Sequence, residues 1–83
     1  MHNLYKLKSL DELMGQIEMG MDIEFHIYDV RYNISWRDDK PFICKCPDGD
    51  AVFYDTPKLM FEQYQINGKV LQDIWQDFEI IFM

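Results

Sequence analysis

The spacing of apolar residues changes period along the chain, and the changes divide it into elements. Leu10, Leu13, Met14 and Ile17 recur at helical spacing. Ser9-Leu10-Asp11-Glu12, where they begin, is a capping-box pattern in which the Ser9 hydroxyl can accept from the Glu12 N–H. Gly20 fits the position just past a helix end. The pattern predicts a helix over 10–19, with Asp11, Glu12 and Glu18 on its outward side.

From Asp22 the period is two. Ile23, Phe25 and Ile27 alternate with Glu24, His26 and Tyr28, and Tyr32, Ile34 and Trp36 alternate with Arg31, Asn33, Ser35 and Arg37. These are two antiparallel strands joined by a turn around Asp29-Val30. Asp38-Asp39-Lys40-Pro41 makes a second turn, Phe42–Cys46 a third strand, and Pro47-Asp48-Gly49-Asp50 a strong stop. Ala51–Tyr54 is a short fourth strand.

Asp55 or Thr56 can cap a second helix, with Pro57 at the first position, where its missing N–H costs nothing. Asn67-Gly68 turns the chain. Val70, Leu71, Ile74, Trp75 and Phe78 then fall on one face of a third helix. The tail 79–83 fits either an extension of that helix or a short strand. Met1–Lys8 reads as a short strand or a lead-in. The expected fold is a single α+β domain over residues 1–83, an antiparallel four-stranded meander with helices packed on one face, in the order α-β-β-β-β-α-α. The first helix, Trp36 and Trp75 are expected at the centre of its core.

Composition narrows the functions. Hydrophobic residues make up 48% and aromatics 16% of 83 residues, enough for a folded core. Fifteen acids against eight bases give a formal charge of −7. Phosphate neutralisation needs the opposite sign, so direct nucleic-acid binding is not expected, and neither is binding to an anionic membrane. A basic protein surface is the partner such a charge suits. No apolar run approaches a membrane span, no leader follows the N-terminal basic residues, and the two cysteines are too close in sequence for an unstrained bridge. A reduced, cytoplasmic protein is the expectation.

Catalytic sets are scarce. His26 lies mid-strand, and a Cys–His nucleophile made with Cys44 or Cys46 has no third group to orient it. Cys44, Cys46 and His26, with His2, are the only weak candidates for a metal site, but structural zinc usually takes two spaced ligand pairs and the second is missing. Asp38-Asp39 lies on a turn rather than in an apolar pocket, which does not suit general-acid work. No enzymatic activity and no cofactor are expected. The acidic residues Asp11, Glu12, Glu18, Asp38, Asp39, Asp73 and Asp77 are the candidates for protein binding.

Two stretches carry a family likeness. Met19-Gly20-Met21-Asp22-Ile23-Glu24-Phe25 with Arg31-Tyr32-Asn33-Ile34-Ser35 resembles the first hairpin of short uncharacterised α+β proteins of Firmicutes and their phages. Ile66-Asn67-Gly68-Lys69-Val70-Leu71-Gln72-Asp73-Ile74-Trp75 is similar to their closing segment, which reads I-[DN]-G-K-x-L-x-[DE]-I-W. The resemblance implies an α+β fold and a phage or mobile-element origin, and it supplies no catalytic residue. Cys44-x-Cys46 is outside its pattern. The leading expectation is therefore an acidic, non-enzymatic binding module, an inhibitor of anti-CRISPR, anti-restriction or immunity type that meets a basic nucleic-acid-binding protein. The alternatives are a homo-oligomeric domain, dimerising through Tyr28, Tyr54 or Phe82, the 51–54 edge or the apolar tail, and a Cys/His metal protein.

Overall fold

A computed structural model describes residues 9–82. Met1–Lys8, with His2 and the first predicted segment, lie outside the described residues. Helix α1 spans Leu10–Glu18, starting where the Ser9 hydroxyl accepts from the Glu12 N–H at 3.1 Å. It ends with Gly20 at φ +88, whose N–H donates to the Ile17 carbonyl while the Met21 N–H donates to that of Gln16. This is the pairing of a Schellman motif, and it needs the left-handed residue that glycine supplies without strain.

The chain then forms β1 (Ile23–Ile27), β2 (Val30–Arg37), β3 (Lys40–Lys45) and the two-residue β4 (Val52–Phe53). The β1–β2 turn falls on Tyr28-Asp29, one residue earlier than the sequence suggests, because Ile27 pairs with Val30. Arg37 pairs with Lys40 across Asp38-Asp39 in the same way. All four turn residues have positive φ, from 52 to 65. Two-residue hairpins need this so that the turn matches the twist of the strands, and here they are built without glycine.

Helix α2 (Pro57–Gln63) is capped by Thr56, whose hydroxyl accepts from the Leu59 N–H at 3.1 Å, with Pro57 at its start. Beyond it a miniature hairpin, β5 (Gln65–Ile66) and β6 (Lys69–Val70), closes over Asn67-Gly68, both at positive φ. The predicted third helix is only one turn, α3 (Leu71–Ile74), followed by a 3-10 turn at Trp75–Asp77. Phe78 is already extended at ψ 130, so the helical reading of that residue is corrected. The tail becomes β7 (Glu79–Phe82), which pairs antiparallel with β1.

The fold is α+β: a five-stranded antiparallel sheet in the order β4-β3-β2-β1-β7 with three helices packed on one face. The predicted meander accounts for four of the strands, and β7 adds a fifth on the free side of β1. The core is Ile23, Phe25, Ile27, Tyr32, Ile34 and Ile43 from the sheet against Leu13, Ile17, Met60, Phe61, Leu71 and Ile74 from the helices. Phe25 stacks on Phe78 at 3.9 Å between ring centroids and lies 5.6 Å from Tyr32. The tryptophans are not at the centre. Both are half-buried, Trp75 against the core and Trp36 with its indole N–H on the Ile17 carbonyl at 2.9 Å. At the rim the Trp36 indole keeps its ring against the sheet and its N–H on a helix carbonyl.

Candidate functional site

Residues of β1–β3 alternate between two environments. Even-numbered Tyr32, Ile34 and Trp36 of β2 face the helices, while Arg31, Asn33, Ser35 and Arg37 face the other side, which no described helix covers. Successive hairpins in a meander lie at opposite ends of the sheet. Asp38-Asp39 therefore marks one end and Tyr28-Asp29 the other.

At the first end the C-terminus of α1 comes against the β2–β3 hairpin. Glu18, Met19, Gly20, Trp36, Arg37, Asp38 and Asp39 line a shallow, open cleft of about 310 Å³. The Schellman turn at Gly20 and the Trp36–Ile17 hydrogen bond set its walls. Met19 is 70% exposed, the most exposed large apolar side chain among the described residues. The Arg37 guanidinium lies 5.2 Å from the Phe42 ring centroid and 6.0 Å from that of Phe53. It therefore sits over aromatic faces on the outer side of the sheet. No described carboxylate lies within salt-bridge distance of it. The cleft thus gathers three carboxylates, the Arg37 side chain, a methionine and the edge of a tryptophan.

At the other end His26, Ile27, Tyr28, Asp29, Asp77 and Glu79 surround a second hollow of about 300 Å³. There the carboxylates have a titratable partner, since His26 Nδ1 is 3.8 Å from Glu79 Oε1, an ion pair when the imidazole is protonated. The remaining predicted acids do not assemble. Asp11 and Glu12 are exposed in the first turn of α1, where they complement the helix dipole, and Asp73 is exposed on α3. Of the seven acidic candidates, Glu18, Asp38 and Asp39 converge, and Asp77 joins Asp29 and Glu79, which sequence reasoning did not single out. Met19 and Trp36 were also missed as surface elements. Their signal was the break in helical period at Gly20, which leaves the preceding methionine outside the apolar stripe.

The cysteines and His26 share the uncovered face but are not neighbours. Across the strands His26 is opposite Arg31, and the Cys46 N–H donates to the Arg31 carbonyl at 2.9 Å. His26 and Cys46 are thus two strand spacings apart, roughly 10 Å, with Arg31 between them. Cys44 is opposite Asn33. This register does not bring His26 and the cysteines together as a Cys–His pair or a three-residue ligand set. Among the described residues no group of three or more His, Cys, Asp or Glu is placed to hold a metal ion. Burial pushes the Cys44 thiol above its ordinary value, and the charge and hydrogen bonding of Cys46 add to the shift. A thiol so shifted is a poorer nucleophile at neutral pH.

The dimer candidates also divide. Tyr28 is exposed, but Tyr54 is half-buried against the core, and burial raises its pKa. Phe82 pairs with Glu24 through the backbone. Among the described residues no helix is long and apolar enough to cross a membrane. The chain matches no protein-family model, no curated protein and no solved structure.

Proposed function

We propose that this chain is a non-enzymatic protein-binding module whose acidic cleft takes a basic surface of a nucleic-acid-binding protein, as inhibitors carried by phages and mobile elements do. The observation that carries the reading is the convergence of Glu18, Asp38 and Asp39 around exposed Met19 and the Trp36 rim. Carboxylates at the rim steer a basic partner and reject acidic ones, and the apolar centre supplies contact area that water leaves on binding. The net charge of −7 extends the same attraction over the whole molecule. The likeness to short phage proteins of Firmicutes supports the origin.

The test is site-specific photo-crosslinking in host extract, with the crosslinker at position 19 and, in parallel, at position 28. A basic nucleic-acid-binding protein captured from position 19 and not from position 28 supports the reading. The absence of any captured protein at position 19, or capture of an acidic one, removes it.

A second reading has its own observation. Among the described residues β7 ends the sheet with Glu79-Ile80-Ile81-Phe82, and Ile81 is exposed on that edge. The strand carries neither proline nor lysine, the residues that commonly block edge pairing. Antiparallel pairing of β7 with a second copy would continue the sheet. Light scattering at high concentration decides it, and a monomer there rules it out.

A further inference from the structure

Arg37 lines the acidic cleft without neutralising it. Glu18, Asp38 and Asp39 share the cleft with it, yet no described carboxylate comes within salt-bridge distance of its guanidinium. The guanidinium lies instead 5.2 Å from the Phe42 ring centroid and 6.0 Å from that of Phe53. Its neighbours behave differently. Arg31, on the same strand, reaches Glu24 at 3.9 Å, and Lys40, opposite Arg37 across the hairpin, reaches Asp55 at 3.1 Å. Arg37 is thus held by rings where they are held by anions. Phe42 is only 7% exposed although no described helix covers its side of the sheet, and Arg37 and Phe53 pack over it there. A guanidinium whose face rests on aromatic rings keeps its in-plane N–H donors for another partner, and their fixed fork matches a carboxylate in two parallel hydrogen bonds.

We propose, on the basis of the docking reading above, that Arg37 is the specificity residue of the cleft, and that the partner is a basic surface carrying one carboxylate where it meets Arg37. A uniformly basic surface seated in the cleft would bring like charge against this guanidinium, which is unfavourable, whereas a carboxylate at that point forms a two-pronged pair with it. The ring contacts hold the guanidinium in place before a partner arrives, so pairing costs less side-chain freedom. The net charge of −7 draws basic proteins in, and Arg37 selects among those that arrive. A nucleic-acid strand does not fit the same place, because phosphate runs need several free cations and the adjacent Arg31 and Lys40 already have carboxylate partners.

The test is calorimetric titration of the full chain with peptides of arginine and leucine in which a single glutamate is moved along the sequence. Each peptide is compared with its counterpart carrying glutamine at the same place. General attraction favours the glutamine peptide, which has one more net positive charge, so only a local contact can favour glutamate. At one position the glutamate peptide should bind at least about fivefold more tightly than its counterpart. Arg37→Met keeps an apolar stem over Phe42 and should reverse that order. A role for Arg37 in packing alone would leave the order unchanged. Circular dichroism checks that the variant is folded. Should Arg37→Met unfold, Arg37→Lys decides, since it keeps the charge, loses the fork and should cut the preference by at least about half. No binding of any peptide removes the docking reading and the role of Arg37 with it. Tighter binding of the glutamine peptide at every position, or a glutamate preference undiminished in the folded variant, overturns the role of Arg37 alone.

Discussion

The two ends of the sheet carry the same number of carboxylates and differ in what the carboxylates surround. At the α1 end, Glu18, Asp38 and Asp39 frame exposed Met19 and the half-buried Trp36, and the nearby arginine is turned onto Phe42 and Phe53. At the β7 end, Asp29, Asp77 and Glu79 surround exposed Tyr28 and His26, which can pair with one of them. Each end holds an exposed apolar side chain, Met19 at 70% and Tyr28 at 44%, but among the described residues only at the β7 end does a basic side chain reach one of the carboxylates. Unpaired charge around uncovered apolar area is a surface with something to gain from a partner. The backbones differ too. The β2–β3 hairpin puts aspartates at positive φ, which they tolerate, whereas the β1–β2 hairpin puts Tyr28 at φ +52.

The frame common to both ends gives the largest expected effect. Phe25→Ala removes a ring that is wholly buried and stacked on Phe78, and should cost about 3–5 kcal/mol, enough to unfold a domain of this size or lower its melting point steeply. Both ends should fail together in thermal denaturation. Loss of only one of them would show that the two ends do not share one core. Next comes charge at the α1 end. Asp38→Asn and Asp39→Asn keep the residue types that tolerate the turn, so with Glu18→Gln they remove charge and leave the hairpin alone. The triple variant should bind a basic partner at least about tenfold more weakly, a difference of ~1.4 kcal/mol. Asp29→Asn, Asp77→Asn and Glu79→Gln should leave that affinity within about twofold, a much smaller change.

Two smaller effects have opposite signs. Trp36→Phe keeps the apolar rim but leaves the Ile17 carbonyl without its indole donor, and should destabilise by ~1 kcal/mol in chemical denaturation. Tyr28→Asn relieves a left-handed tyrosine and should stabilise by ~1 kcal/mol. Destabilisation by Tyr28→Asn would mean that the tyrosine ring makes contacts worth more than its strain, and would give the β7 end a role that the comparison denies it.

Most of the fold was legible because local rules and packing agreed. Ser9 and Thr56 cap where their positions suggest, Gly20 stops α1, and alternation places Ile23, Phe25, Ile27 and Ile34 in the core. The third helix was misread because Val70, Leu71, Ile74, Trp75 and Phe78 fit helical spacing and are all at least half-buried, yet the chain turns strand-like on both sides of one helical turn. Burial in a small core comes from hairpin and strand geometry as readily as from a helix face, and periodicity cannot separate the two over so few residues. β7 was ambiguous for the same reason, since only pairing with β1 decides it. The site was legible in part. The sequence marks its acids, but which of them meet depends on the hairpin bringing Asp38-Asp39 to the end of α1. That is a long-range fact about register.

The central claim, that the α1-end cleft is the docking surface, is tested most directly by amide NMR of the labelled chain titrated with a short peptide rich in arginine and leucine. The titration is run in low salt and again at roughly 1 M ionic strength, where charges are screened within about 3 Å. Docking in the cleft should give shifts concentrated at residues 18–20 and 36–39, including the Trp36 indole N–H, that shrink strongly at high salt. Equal or larger shifts at Asp29, Asp77 and Glu79, or shifts indifferent to salt, would contradict it.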